Sequence, residues 1–517
     1  MANKRILQFA FFTAFIAAIL YLPILKGEFV YDDTMQIGVD TYIHTPSNLP
    51  EVLSLKVMSR DVIDNNRPFM LLSLMIDSIL WGKNAFGYHL TNLVLHSLCS
   101  AMVFILIYNC LMSIFGENKN ISVGWAAFAA SVLFAVHPIN SEAVCVITFR
   151  EDLLAAFFIL LGLILALVFP LKKMVSNILY GCAIVLCFFA AVASKENAAV
   201  GPMYLLMYWY FIRRQQAGGW IKLISASFAG ILLFMILRFT AVPSQTEIFV
   251  EKAVYLGGSF SNMLLIQPRI WVYQLCELFW PRLLCADIGG YCIRNISFFA
   301  AVAILILIII FLIWAGRKNK AFLMGILFFI LAMLPTSNFV PIFRPVADRY
   351  LYLPMFGLCF AVAAMLCQLK TPKGIYKFIS ISVTAMIYLY FCYFTLEREK
   401  VWNNSLSLWQ DTVKKNPKSF TGNNNLGFVF YDKGQYQNAL SYFQKASEID
   451  RASAEAVAAL AITYDALGLK EEAISTAQKA VSMNELYGNY ESLMKLLIWT
   501  PEQSRKLHNI LQSSPKD

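Results

Sequence analysis

The chain has 517 residues, of which 59% are hydrophobic and only 14% are charged, and its mean hydropathy is +0.60. A soluble globular protein carries about 25% charged residues, so this composition excludes a cytosolic enzyme. The 41 Phe, 24 Tyr and 10 Trp also exclude a disordered or fibrous protein. We therefore predict one large polytopic membrane domain with a smaller domain attached to it.

The net charge of +10 comes mostly from Lys and Arg in short loops between apolar segments. Binding of nucleic acid needs a basic surface patch, so this distribution argues against a nucleic-acid partner. The first apolar run follows Lys4 and Arg5 and lacks a small-residue cleavage site. We therefore interpret it as an uncleaved transmembrane helix and not as a signal peptide.

Eleven apolar segments are long enough, or nearly so, to cross a bilayer. They lie at 6–25, 87–115, 122–137, 142–169, 176–193, 198–212, 221–241, 297–315, 321–335, 351–369 and 375–395. A further segment, 259–281, contains Gln267, Gln274 and Glu277, which would be costly to bury in lipid. We interpret this segment as a helix that lies in the membrane interface.

The basic residues predict the orientation of these spans. With the N-terminus in the cytoplasm, the alternate loops on the cytoplasmic side contain 14 Lys and Arg residues and one acidic residue, Glu117. Cytoplasmic loops of membrane proteins carry such an excess of Lys and Arg. The remaining loops and, after an odd number of spans, the C-terminal region are therefore predicted to face the extracytoplasmic side.

Beyond Glu397 the sequence changes to a water-soluble helical pattern with a 34-residue repeat. The positions Leu426, Gly434, Ala439 and Ala446 recur as Leu460, Gly468, Ala473 and Ala480. This period predicts a tetratricopeptide-repeat solenoid of two full units with caps, and hence a membrane domain at 1–397 and a repeat domain at 398–517. We interpret its concave surface as a peptide-binding groove, with a folding or dimerisation platform as the alternative.

The first extracytoplasmic loop, about 27–67, opens with a pair of carboxylates, Asp32 and Asp33. Adjacent carboxylates next to a membrane helix can bind a metal or accept a proton. The alternative is that they cap the next helix or are solvated. Either role remains open from these residues alone.

Other ionisable residues cluster at the predicted extracytoplasmic ends of the helices. Arg150, Glu151 and Asp152 are predicted to lie within the fourth span, where ion pairs that stabilise the bundle are the alternative to a functional site. The candidate phosphate-binding cations are Arg67, Arg150, Lys195, Arg344 and Arg349. The candidate supporting residues are His137, Glu142, Asp152, Glu196 and Asp348.

This group of cations suits a phosphate-bearing substrate, because Arg binds phosphate with a fork of donors and Lys as a point charge. The chain has no GxxxxGK[ST] motif and no GxGxxG that opens a helix, so we expect the phosphate to be carried by a lipid. His89 and His96 are seven residues apart, and we interpret them as core histidines and not as metal ligands. A divalent cation remains possible as a cofactor.

The sequence resembles the transmembrane O-mannosyltransferases that carry tetratricopeptide repeats, and their bacterial relatives, in the GT-C glycosyltransferase superfamily. The matching stretches are FVYDD (29–33), NRP (66–68), FGYHLTNLVLHSL (86–98), LFAVHPINSEAV (133–144), FREDLLA (149–155), ASKENA (193–198) and SNF…ADRYLYLP (337–354). They cover nearly all of the membrane domain in the order of the family.

This resemblance implies an all-α GT-C membrane bundle of about eleven transmembrane helices, followed by the repeat solenoid. It also implies a polyprenyl-phosphate monosaccharide as donor and a protein hydroxyl as acceptor, with the acceptor bound through the repeats. Asp32 or Asp33 would act as the general base of an inverting displacement, and the basic residues would stabilise the leaving phosphate.

Two departures from the family pattern affect the prediction. The repeat array is shorter than in eukaryotic members, which favours a bacterial relative with the repeats in the periplasm over an endoplasmic reticulum protein with lumenal repeats. Glu151 adds a charge to the motif of span four. The alternatives are a GT-C transferase that modifies a lipid or polysaccharide, and a non-catalytic membrane scaffold.

Overall fold

The computed structural model describes residues 2–60, 62–116, 120–168, 174–213, 217–241, 255–288, 296–342, 344–369, 374–495 and 499–513, and no strand occurs in these ranges. Some basic residues of the topology prediction lie outside them: Lys119, Lys172, Lys173, Arg214, Lys370 and Lys373. The predicted all-α fold is confirmed for the described part of the chain.

Within the described ranges, fifteen α-helices precede the repeat array. They are α1 (Ala2–Leu20), α2 (Leu49–Leu53), α3 (Pro68–Trp81), α4 (Ala85–Phe115), α5 (Asn120–Val136), α6 (Ser141–Cys145), α7 (Arg150–Val168), α8 (Met174–Ser194), α9 (Gly201–Tyr208), α10 (Ala217–Ala241), α11 (Phe260–Phe279), α12 (Phe298–Lys318), α13 (Lys320–Met333), α14 (Tyr352–Leu366) and α15 (Ile375–Trp402). The predicted boundary at 397 falls inside α15.

The membrane region contains helices that are long and apolar enough to span a bilayer. Six described helices meet this criterion: Ala85–Phe115, Arg150–Val168, Gly219–Ala241, Phe298–Lys318, Asp348–Leu366 and Phe378–Trp402. A seventh span would be formed by Val123–Val136 and Pro138–Cys145, which meet at 46°. These helices identify an integral membrane protein, and the total of eleven spans stays a prediction.

The predicted span 142–169 is wrong as one continuous helix. Its sequence is divided into the short α6 and the long α7, with an irregular stretch at 146–149 between them. As a result Arg150, Glu151 and Asp152 lie in the first turn of α7, and not two or three turns inside a span. The irregular stretch contacts the first loop, where the Asp33 carboxylate accepts hydrogen bonds from its backbone N–H groups.

Helices α13 and α14 cross at close backbone contact. A Cβ on Gly325 would lie 2.5 Å from the backbone nitrogen of Ala361, and one on Gly357 would overlap the backbone of Phe329. Small residues at such crossings let membrane helices pack through their backbones. The crossing positions the loop that precedes α14. This loop carries Arg344 and Arg349.

The C-terminal helices form the predicted solenoid. They are α16 (Ser405–Lys415), α17 (Phe420–Asp432), α18 (Tyr436–Ile449), α19 (Ala454–Ala466), α20 (Lys470–Met483), α21 (Tyr490–Lys495) and α22 (Pro501–Gln512). Gly434 and Gly468 close the two hairpins with φ of 71° and 80°, a conformation that favours glycine. Gly427 leaves room for the ring of Phe443 between the paired helices.

The solenoid is attached to the membrane region through α16. Asn416 Nδ2 donates to the carbonyl of Asp287 at 3.0 Å, and the hydroxyl of Ser419 donates to the carboxylate of Asp287 at 2.5 Å. Lys415 Nζ donates to the carbonyl of Leu284 at 2.8 Å. These contacts hold the array against the loop that follows α11.

Candidate active site

The adjacent carboxylates of the first loop occupy different environments. Tyr31, which precedes them, has φ of 58°, in the left-handed region that bulky side chains rarely adopt. Asp33 is fully buried inside the protein, whereas Asp32 is half-buried and lines a cleft. Two neighbouring residues of the same type therefore differ in burial and in access to the cleft.

The buried Asp33 carboxylate accepts hydrogen bonds from the protein itself. Its carboxylate accepts hydrogen bonds from the N–H of Ile147 at 3.0 Å, the N–H of Thr148 at 2.8 Å and the hydroxyl of Thr148 at 2.8 Å. Burial raises the pKa of Asp33 to about 7, while these three hydrogen bonds favour the charged carboxylate. Asp33 thus fixes the break between α6 and α7.

Asp32 lies in a cleft of 260 Å³ between the first loop and the repeat array. The loop side includes Tyr31 and Thr34, and the array side is formed by α16, α17, the start of α19 and the start of α22. Burial raises the pKa of Asp32, and the positive charges of Arg344 and Arg349 oppose this increase. A half-buried carboxylate with a raised pKa in a cleft has the properties of a general base.

Arg344 closes the same cleft beside Asp32. Its guanidinium lies 4.8 Å from the centre of the Tyr31 ring, and that ring stacks on Trp409 of α16 with centres 5.3 Å apart. Among the described residues, no carboxylate oxygen lies within ion-pair distance of Arg344. Arg344 is therefore the cation of the predicted set that can receive an incoming anion without breaking an ion pair.

Arg349 lies behind Arg344 and is held by Glu142. The Glu142 carboxylate accepts from the backbone N–H of Arg349 at 2.9 Å and also pairs with its guanidinium. The guanidinium lies 3.7 Å from the centre of the Phe149 ring. Its Nε has no hydrogen-bond partner in the described part of the chain, and it is 3.9 Å from Asp152. Arg349 is thus positioned by Glu142 with one donor still available.

Lys195 and Arg67 are joined by the acidic residues of α7. Lys195 Nζ lies 2.9 Å from Glu151 and 2.5 Å from Asp152. Arg67 pairs with Glu151 as well and lies 3.0 Å from Asp64. This network connects the end of the first loop, the start of α7 and the end of α8.

Glu196 forms the outer edge of that network. It accepts from Asn66 Nδ2 at 2.6 Å and from Arg238 at 3.0 Å, and it lies 3.4 Å from Arg67. Glu196 therefore links the Asn-Arg-Pro stretch of the first loop to α10. This supporting role differs from contact with a substrate.

Arg150 is enclosed by the bundle, in contrast to its predicted role as a phosphate ligand. Its side chain is 0% exposed and lies 2.6 Å from the carboxylate of Asp77. The guanidinium also donates to Asn92, to the hydroxyl of Ser73 and to the carbonyl of Tyr88, at 2.7 to 2.8 Å. These contacts occupy the guanidinium, which favours the alternative of an ion pair that stabilises the bundle.

The remaining two predicted supporting residues, His137 and Asp348, are buried in loops between helices. His137 donates from Nε2 to the carbonyl of Leu278 at 2.9 Å and accepts at Nδ1 from the N–H of Ile139, and so ties the turn after α5 to α11. Asp348 is buried at the start of the turn before α14. His96 contacts the hydroxyl of Tyr352 at 2.9 Å in the core.

The described residues show no group of three or more His, Cys, Asp or Glu side chains that could hold a metal ion. The predicted possible cation therefore has no ligand set among them. Sequence reasoning missed three residues that shape the site: Asp64, Asp77 and Trp409. Asp77 carries a signal that could have identified it, because it is an acidic residue within an apolar helix.

Together these features define a helical membrane protein with a tetratricopeptide array beside a cleft that contains a carboxylate and an arginine. The sequence profile of the tetratricopeptide repeat matches residues 418–485, which confirms the predicted repeats.

Among the most similar proteins is Protein O-mannosyl-transferase F38B6.6 of Caenorhabditis elegans, 28% identical over 84% of this chain and 62% of the relative. Protein O-mannosyl-transferase TMTC3 of Homo sapiens is 25% identical over 93% of this chain and 56% of the relative. Protein O-mannosyl-transferase TMTC1 of Homo sapiens is 24% identical over 82% and 53%. The homologues of this chain are therefore named protein O-mannosyl-transferases, and the chain spans somewhat more than half of their length.

Proposed function

We propose that this protein transfers a monosaccharide from a polyprenyl-phosphate donor to Ser or Thr hydroxyls of a protein acceptor on the extracytoplasmic side of a membrane. The observation that carries the proposal is the position of Asp32, on one wall of a cleft whose other wall is the repeat array. A peptide that lies along the array would bring its hydroxyl groups to this carboxylate. The names of the homologous transferases support the same chemistry.

In the proposed reaction Asp32 accepts the proton of the acceptor hydroxyl while the hydroxyl oxygen forms a bond to the anomeric carbon. The bond from that carbon to the phosphate oxygen breaks, and the lipid phosphate leaves with the electron pair. A single displacement of this kind inverts the configuration at the anomeric carbon. Arg344 stabilises the charge that develops on the phosphate, and the available donor of Arg349 adds to it.

In this mechanism Lys195 and Arg67 act mainly through the ion-pair network. Each of them is already paired with a carboxylate of α7 or of the first loop. They contribute positive potential behind the leaving phosphate and hold α7 in place. Asp33 positions the backbone next to Phe149, on which the guanidinium of Arg349 rests.

The test uses the purified full-length protein in detergent with a panel of radiolabelled polyprenyl-phosphate sugars and an extract of envelope or secretory proteins. We expect label on protein with the wild type and a loss of about 100-fold or more with Asp32→Asn, because a positioned base contributes about that much. Asp40→Asn is the matched control, since Asp40 lies in the same loop and its carboxylate caps the backbone of Tyr42.

Asp33→Asn has a different expected signature. Its buried carboxylate accepts three hydrogen bonds, and an amide in its place turns a donor toward the N–H groups. We expect a lower melting temperature for Asp33→Asn and an unchanged one for Asp32→Asn. Full transfer by the Asp32→Asn variant would show that Asp32 is not the general base. Label on lipid or glycan would favour the transferase with a non-protein acceptor, and absence of transfer with retained partner binding would favour the scaffold.

A further inference from the structure

The repeat-array wall of the cleft presents one face of a single helix. Asn425, Phe428, Val429 and Asp432 of α17 all line the cleft, and their spacing of three, four and seven residues places them on the same side of the helix. Phe428 and Val429 provide apolar surface in the middle of this face, and Trp409 of α16 continues it toward Asp32. The face therefore runs from an acidic end to the proposed catalytic carboxylate.

The array wall is negatively charged. Asp432 and Glu455 line it, and among the described lining residues Arg344 on the opposite side is the one cation. The carboxylate of Asp432 accepts a hydrogen bond from the amide of Gln503 at 3.1 Å. The nearby Lys506 lies 2.9 Å from Glu502, so its charge is balanced locally.

We propose that this face binds an extended acceptor segment that carries a Lys or Arg side chain close to the modified Ser or Thr. The basic side chain meets Asp432 and Glu455, apolar neighbours pack on Phe428 and Trp409, and the hydroxyl reaches Asp32. This inference rests on the proposed function and adds the chemical class of acceptor to it. Charge complementarity of this kind selects partners and fixes their register in a groove.

An acidic acceptor is disfavoured by the same arrangement. A Glu or Asp at the position of the basic side chain would face two carboxylates of the groove, and like charges at close range reduce binding. The cleft therefore discriminates between peptides of equal size and polarity by their charge alone. This gives a measurable preference that a general, non-selective repeat surface would not show.

The experiment uses synthetic Ser/Thr peptides in which a single Lys is moved along the sequence, each with a Gln and a Glu counterpart at that position. Equilibrium binding to the full-length protein is measured by fluorescence anisotropy, and transfer is measured as kcat/KM. We expect at least one Lys position to be preferred over Gln by about fivefold, the upper range for an ion pair that is not fully buried. Asp432→Asn should reduce this preference, because Glu455 remains, and Asp432→Asn with Glu455→Gln should abolish it.

Glu448→Gln is the matched control, because Glu448 is an exposed carboxylate on α18 that does not line the cleft. An equal affinity for the Lys, Gln and Glu peptides at every position would overturn the proposed acceptor class. A preference in binding without transfer to any peptide would support the docking surface while contradicting the proposed function. Transfer that does not depend on the charge of the peptide would support the proposed function and contradict the proposed docking surface.

Discussion

At the scale of single residues, side chains of the same type in the candidate site differ in how deeply they are buried. Asp32 and Asp33 are identical and adjacent, yet one lines the cleft and the other accepts three hydrogen bonds from the framework. The five predicted cations divide in the same way. Arg150 is enclosed by Asp77 and Asn92, whereas Arg344 faces the cleft.

The pH dependence of transfer should report on Asp32 and Arg344. In the proposed mechanism Asp32 is the base and must be deprotonated, so the rate should fall by about tenfold per pH unit as the pH drops below its pKa. Burial raises that pKa and Arg344 lowers it. Replacement of Arg344 by Gln should therefore raise the pKa of Asp32 further and move the acidic limb of kcat/KM to higher pH.

The measurement is kcat/KM against pH at constant ionic strength, with Arg238→Gln as the control. Arg238 pairs with Glu196 and is not among the principal charges that act on Asp32. A reduced rate for Arg344→Gln with an unmoved acidic limb would show that Asp32 is not the group that titrates.

The role of Arg150 can be separated from that of a phosphate ligand by a double substitution. Arg150→Met leaves the buried Asp77 without its cation, and we expect a loss of about 3 to 5 kcal/mol of stability. Arg150→Met with Asp77→Leu removes both charges, so stability and transfer should both recover. Thermal unfolding and transfer are measured on both variants. A double variant that folds but does not transfer would support the prediction that Arg150 binds the phosphate of the donor.

At the scale of helices, the sequence predicts regular elements well and interruptions poorly. The 34-residue repeat identified the hairpins of the solenoid because the recurring Leu, Gly and Ala residues are required by local packing. The apolar run 142–169 indicates its break only through Glu151 and Asp152, since acidic residues favour the first turn of a helix. At the break, the backbone N–H of Ile147 donates to Asp33, which lies 114 residues earlier in the chain. A long-range hydrogen bond of this kind leaves no periodic pattern in the sequence.

The candidate site was predictable only in part, because its residues can be selected from the sequence but their contacts cannot. Charged residues at the ends of apolar helices are conspicuous in the sequence, which is why Arg344, Arg349 and Glu142 could be selected as candidates. Their pairing could not be predicted, because it depends on how the loop before α14 meets α6. Trp409 was missed as a neighbour of Tyr31 because it belongs to a different domain of the sequence.

The close crossing of α13 and α14 gives a prediction for helix packing. An Ala at Gly325 would place its Cβ 2.5 Å from the backbone of Ala361, so the helices must separate. We expect Gly325→Ala to cost about 1 to 3 kcal/mol, the usual effect of overpacking. Gly181→Ala in α8 is the control, since no heavy atom lies within 4 Å of the added Cβ. Equal melting temperatures for the two variants would show that the crossing is not tightly packed.

At the scale of the whole molecule, the repeat array is part of the proposed catalytic cleft and not a separate appendage. It provides most of the lining opposite Asp32, and its first helix stacks Trp409 on Tyr31. The attachment of α16 to the loop after α11 fixes the distance between the two walls. The array can raise the effective concentration of an acceptor only if this attachment holds it in place.

This attachment can be weakened without touching the cleft. Asp287→Ala removes the 2.5 Å hydrogen bond between the two parts, lies outside the lining of the cleft and leaves the Ser419 cap of α17 in place. We expect KM for a protein acceptor to rise by about tenfold, as the effective concentration falls, and kcat at saturation to stay within about twofold. Hydrogen exchange should increase in α16 and α17. Ser447→Ala on the exposed side of α18 is the control, and a KM equal to that of the control would mean that the array holds the acceptor independently of its attachment.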